Sequence, residues 1–165
     1  MCAFQSAWLG RWRRVRFLPF LVGWLLLSIA LSTAAEAAMR KDQLTIVTST
    51  GRHTFTVEVT ETEADRAVGL MFRRQLDRRG GMLFAYDRTF EITMWMKNTY
   101  IPLDMIFIKP DGLVHRIAKN TEPFSERVIS SQGDVSAVLE VAAGVADEIN
   151  LKPGDRIEHS AFASK

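Results

Sequence analysis

Apolar and polar positions along the chain change period several times, and each change marks an element. Residues 44–47 form a short apolar, β-branched run, Ser49, Thr50 and Gly51 signal a turn, and residues 54–59 alternate cleanly. Phe55, Val57 and Val59 therefore share one face of a half-buried strand. The period then lengthens: Ala64, Ala67, Val68, Met71 and Phe72 recur at helical spacing, behind a capping box of Thr60 and Glu63. This predicts one main amphipathic helix over residues 61–72. Gly69 inside it costs about 1 kcal/mol relative to alanine and marks close packing against a neighbour or an early helix end.

A second β region follows the loop of Arg78, Arg79, Gly80 and Gly81, with strands expected at 82–84, 92–96, 105–108 and 113–118. Pro110, Asp111 and Gly112 make a hairpin turn between the last two. Residues 105–108 are apolar in both directions, so that strand is predicted to be covered on both faces. Residues 121–133 are polar, show neither period and read as a long loop able to fold over a cleft. A strand at 137–141, a short helix at 144–149, a turn at 152–155 and a closing strand at 156–159 complete the chain. The predicted fold is mainly β (α+β): a compact antiparallel barrel or sandwich with one main and one short helix.

The first 37 residues obey a different logic. Arg11, Arg13, Arg14 and Arg16 precede an uncharged apolar run, residues 17–31, of the length of a signal h-region, and Ala35 and Ala37 flank Glu36 as small residues before a cleavage point at Ala38. Residues 1–37 are expected to be a secretory signal and residues 38–165 a single domain. The alternative is an uncleaved anchor, because the uncharged stretch extends to Ala35 and approaches the span of a bilayer. Either way the domain is expected outside the cytoplasm, in the periplasm, with membrane contact only through residues 17–35.

Processing changes the charge. Removing four arginines and Glu36 from 21 basic and 19 acidic residues leaves 17 and 18. That balance lacks the basic footprint of a nucleic-acid binder. Arg73, Arg74, Arg78 and Arg79 cluster locally, which reads as a solvated helix end or as a contact for a polyanion. Cys2, the only cysteine, leaves with the signal, so the domain has no thiol and relies on its core.

GLMFR at 69–73, GMLF at 81–84, MWMKNTYIPLDMIFI at 94–108, the Asp111 and Gly112 turn, VLEV at 138–141 and KPGDRI at 152–157 together resemble the DUF192 family. The resemblance runs from about Leu44 to Ile157. It implies a compact, mostly β, often exported domain and carries no mechanism with it.

The long central motif holds the candidate site. In an extended strand Trp95 and Lys97 point one way and Met94 and Met96 the other, so the methionines are expected inside and Trp95, Lys97 and Thr99 on one surface. Asn98 follows, and Asp104 adjoins the apolar 105–108 strand, where a carboxylate must be paired or pKa-shifted. Glu140 interrupts an apolar strand in the same manner. Ligand-binding candidates are Trp95, Lys97, Asn98, Thr99 and Asp104; acid–base candidates are Asp104, Glu140 and Lys97. The bland alternative is a turn in which Asn98, Thr99 and Asp104 bond nearby backbone and Lys97 pairs with Asp104, with Trp95 in the core.

No metal or cofactor is expected. Met71, Met82, Met94, Met96 and Met105 have the softness for Cu(I) but sit in apolar patterns that read as core, and His53, His115 and His159 lack ligand spacing. No nucleophile elbow or phosphate-binding glycine pattern is present. The expected function is a non-catalytic binding module, using residues 95–104, for a small ligand, an envelope polymer or an envelope protein. The alternatives are a small periplasmic hydrolase or isomerase with Asp104 or Glu140 as acid or base, and a purely structural motif.

Overall fold

A computed structural model describes residues 39–162; the expected signal segment lies outside them. Among the described residues no helix is long and apolar enough to cross a membrane. Seven strands, β1 (Arg40–Thr48), β2 (Gly51–Thr60), β3 (Gly80–Met94), β4 (Leu103–Ile108), β5 (Val114–Ala118), β6 (Ile129–Ala142) and β7 (Arg156–Glu158), form one sheet in the order β5-β4-β6-β3-β2-β1-β7. All neighbours are antiparallel except β2 and β3.

The sheet curls until its ends meet. A bridge joins Leu113 to Arg156, and Val114 N and Ile157 N donate to Asp155 O and Gly112 O across the seam. This half-barrel encloses Leu44, Ile46, Phe55, Val57, Leu83, Ile106, Leu139 and Ile157, all buried. Alternation then sends the intervening residues of β3, β4 and β6 to the outer face, where Met82, Phe84, Met105, Phe107 and Val138 build a second core. β4 is buried at every position, as its two-sided apolar pattern predicts. The outer core is covered by three connecting segments, 69–76, 95–102 and 119–128.

The expected main helix is reduced to α1 (Glu63–Val68). Its capping box is Thr62 with Asp65, because Thr60 is buried at the end of β2 and donates to Leu83 O. Gly69 ends the helix at φ 51°, where a Cβ would stand 3.0 Å from the Phe84 ring. The predicted apolar stripe is also inverted: Ala64, Ala67 and Val68 face out, while Arg66 is partly buried. The second helix, α2 (Val145–Glu148), is one turn within the predicted 144–149.

Candidate functional site

The three covering segments are laced together by backbone hydrogen bonds. Phe72 N donates to Asn98 O at 2.9 Å, Met96 N to Ser125 O at 2.9 Å and Phe124 N to Thr99 O at 3.2 Å. Phe72, Asn98 and Phe124 hold positive φ angles of 63°, 55° and 62°. Asparagine tolerates that region, whereas a bulky aromatic residue there is strained. Both phenylalanines are nevertheless exposed, at 57 % and 60 %. The remaining exposed large hydrophobics among the described residues are Val68, Trp95, Tyr100 and Val128, on the same segments or next to them. Tyr100 lies edge-on to Phe72 at 6.1 Å and 5.2 Å from Phe124. Two cations cover this patch: Lys97 Nζ sits 5.1 Å from the Trp95 ring and the Arg74 guanidinium 5.9 Å from Tyr100.

Beneath Trp95 lies a cavity of about 40 Å³, bounded by Arg66, Met71, Phe84, Met94, Thr99 and Glu140. Glu140 occupies β6, in register with Met82 on β3 and Met105 on β4, so its carboxyl group is held against the outer core. The residue is 4 % exposed and makes no hydrogen bond or ion pair among the described residues. Its oxygens are absent from the fully enclosed unpartnered atoms, so the residual exposure opens into the cavity. Burial pushes its pKa to about 8, since the charged form has lost water without gaining a partner. Across the cavity, Arg66 donates from Nη2 to Glu63 at 2.8 Å and lies over the Tyr86 ring. Its Nε–H is buried without a partner among the described residues.

The other sequence candidates divide. Trp95, Thr99 and Glu140 line one cavity. Trp95 is 47 % exposed rather than core, because β3 ends at Met94 and alternation stops there. Met96 is buried and Met94 only partly so. Lys97 does not pair with Asp104; it reaches Glu126 at 4.0 Å and stacks on Trp95. Asn98 shapes its loop and donates from Nδ2 toward Met71 Sδ at 3.9 Å, and the Thr99 hydroxyl donates to Lys97 O. Asp104 stands apart on the concave face, fully buried, accepting from Asn120 N and Ala146 N at 2.9 Å each. Because Gly144 offers no capping side chain, Asp104 caps α2 from another strand.

Sequence reasoning missed Arg66, Phe72 and Phe124. A phenylalanine at positive φ leaves no compositional signal. The apolar spacing that includes Phe72 pointed to the wrong element.

This geometry defines a class: a half-barrel β domain whose outer face carries an aromatic surface over a small polar cavity. The sequence matches the DUF192 family, described as an uncharacterised ACR, over residues 45–159, and the chain belongs to that family. Two solved structures are similar. One, from Sinorhizobium meliloti 1021, bears a provisional description as a transcription regulator; it is 42 % identical with a TM-score of 0.74, over 76 % of this chain and 98 % of that one. The other, a protein of unknown function from Novosphingobium aromaticivorans DSM 12444, is 38 % identical with a TM-score of 0.73, over 76 % and 89 %. No curated protein matches.

Proposed function

We propose that this chain is an exported, non-catalytic binding module that engages a ligand or envelope partner through Phe72, Trp95, Tyr100 and Phe124. One observation carries the reading: all six exposed large hydrophobics among the described residues gather on or beside three cross-bonded loops. Contiguous exposed apolar surface is uncommon on a monomer and marks interaction sites, and strained backbone at two of its aromatics supports the same reading. Export rests on the arginine-flanked apolar run of residues 11–31. Nucleic acid is not the proposed ligand, because residues 38–165 carry no net basic charge.

The test is thermal denaturation against wall fragments, sugars and small anions, paired with cell fractionation. A ligand at 100 times its Kd adds about 2.7 kcal/mol, a shift of several degrees. That shift is expected to vanish in Trp95→Ala and Phe124→Ser proteins of unchanged basal midpoint. A shift that survives both substitutions places binding elsewhere, and a chain found wholly in the cytoplasm removes the export half of the proposal.

One observation favours a second reading. A glutamic acid with its pKa near 8 is suited to deliver a proton at neutral pH, which would make Glu140 a general acid. Asp104 lends that reading no support, since both its oxygens are engaged by backbone amides.

A further inference from the structure

The outer-face cavity contains two polar side chains whose hydrogen-bonding capacity is unmet, and they come from separate elements. Glu140 stands on a central strand between Met82 and Met105 and is 4 % exposed. Arg66 stands at the end of α1 with its Nε–H unpartnered. Apart from Thr99, whose hydroxyl is spent on Lys97 O, the rest of the wall is apolar or sulfur-bearing and includes Met71, Phe84, Met94 and Trp95. A buried donor or acceptor left unpaired costs about 1–3 kcal/mol, and natural folds keep few of them. One enclosed donor without a partner, beside a carboxyl group that opens into the same cavity, is the signature of a site built to receive something.

We propose that this cavity is a carboxylate-binding subsite, in which Arg66 and Glu140 both donate hydrogen bonds to the oxygens of a ligand carboxylate while the body of the ligand lies on the aromatic surface. The subsite rests on the binding-module reading and names the chemistry of one end of the ligand. Size, charge and proton inventory select that chemistry. A water-sized group needs roughly 10–15 Å³ of such volume, so about 40 Å³ admits the tip of a ligand and excludes a ring. Arg66 is a permanent cation and repels an ammonium group. Tyr86 of β3 is the titratable group that feels Glu140, and Arg66 of α1 shares the cavity wall without drawing the Glu140 pKa down. Glu140 keeps its proton at neutral pH and so presents a donor, as a buried acid can at an oxyanion site. Two donors and one positive charge complement an anionic oxygen pair.

Room for adjustment is present. Arg66 also borders an open groove of about 730 Å³ beside Tyr86 and Phe90. Binding as proposed requires the guanidinium to shift, since its Nε–H is enclosed in this structure, and that groove is the open space beside it.

The experiment uses formate as the probe, with methylammonium, acetamide and Cu(I) as the competing chemistries. Nuclear magnetic resonance follows the Arg66 Nε–H and the Glu140 carboxyl carbon. Formate is expected to shift both resonances, and its Kd is expected to weaken about tenfold per pH unit above pH 8, as Glu140 loses the proton it donates. Glu140→Gln keeps a donor, so it retains formate binding while losing that pH dependence. Arg66→Lys retains the charge but not the planar donor and is expected to weaken formate at least fivefold. A methylammonium shift in place of formate overturns the proposal. So does a Cu(I) shift confined to the Met71 and Met94 methyls, or silence from every probe. Formate touches only the cavity, so its failure leaves the surface reading standing; a larger ligand lost in Trp95→Ala while formate still binds separates the two.

Discussion

Asp104 and Glu140 occupy adjacent rungs of neighbouring strands and point to opposite faces of the sheet. Asp104 pairs in register with Val141 of the concave core, and Glu140 with Met105 of the outer core. One acid receives two backbone amides and the other receives none. Two carboxylates that look alike in sequence thus have unlike roles, and they predict unlike mutants.

Asp104→Ala strips the Asn120 and Ala146 amides of their acceptor inside the fold. The Ala146 amide is buried and unpaired amides of that kind cost about 1–3 kcal/mol, whereas the Asn120 amide, on an exposed residue, can turn to water, so the unfolding free energy from urea titration should fall by ~1–3 kcal/mol. Asp104→Asn keeps one acceptor oxygen and should lose about half of that. A loss below about 1 kcal/mol in the alanine protein contradicts the capping role.

Glu140 should make stability fall as pH rises. Its folded pKa is raised from 4.5 to about 8, so between those values the folded chain holds a proton that the unfolded chain has released. The contribution of the protonated group is intact below pH 4.5 and is lost as pH climbs through 8. One pKa unit corresponds to about 1.36 kcal/mol, which makes the whole window worth ~5 kcal/mol. Glu140→Gln should match wild type near pH 4.5 and exceed it at pH 8 and above. Equal slopes for the two proteins in urea titrations would contradict the unpaired burial of Glu140.

Phe72 and Phe124 should be better for binding than for stability. Asparagine accepts positive φ, and relief of about 1–2 kcal/mol offsets the lost aromatic contact, itself about 0.5–1.5 kcal/mol. Phe72→Asn and Phe124→Asn are therefore expected to melt at or above the wild-type midpoint while weakening ligand binding at least tenfold. A drop of several degrees in either would identify that ring as packing rather than contact surface.

Gly112 should be indispensable to the seam. At φ 81° it accepts from Ile157 N, and a Cβ there would stand 2.5 Å from Ile157 O. Gly112→Ala combines left-handed strain with that clash, so ~2 kcal/mol or more should be lost. Hydrogen exchange at the Ile157 amide should accelerate ahead of the amides of β4, marking the seam as the place that opens.

The pattern of side chains made the strands legible and concealed the surface. Phe55, Val57 and Val59 alternate because β2 has one covered face, and residues 105–108 do not because β4 has two. The loop expected over 121–133 is shorter in the structure: Gln132 at φ 57° and Gly133 at φ 151° are an irregularity within β6, and polar Ser130 and Ser131 belong to that strand. TETEAD at 60–65 offers two overlapping capping boxes, and burial of Thr60, a tertiary fact, decides between them. Met71 and Phe72 fit a helical period by spacing alone, yet Gly69 turns the chain before they are reached. Of the candidate site, Trp95, Thr99 and Glu140 were visible as misfits to their surroundings. Their meeting with Arg66 and Phe124 depends on contacts between loops far apart in sequence, which no local period encodes.

The one parallel pair, β2 and β3, has a consequence for how such a surface arises. Parallel neighbours need a crossover, and residues 61–79 make it over the outer face, carrying Arg66, Gly69 and Phe72 with them. A chain following this path must lay an extra layer across the sheet whether or not any ligand exists. Residues on that strap are free of the alternation that governs the strands, so Arg66 and Phe72 take positions that no strand register dictates. The connector demanded by topology thus gives the sheet a second layer whose backbone owes nothing to the ladder beneath it.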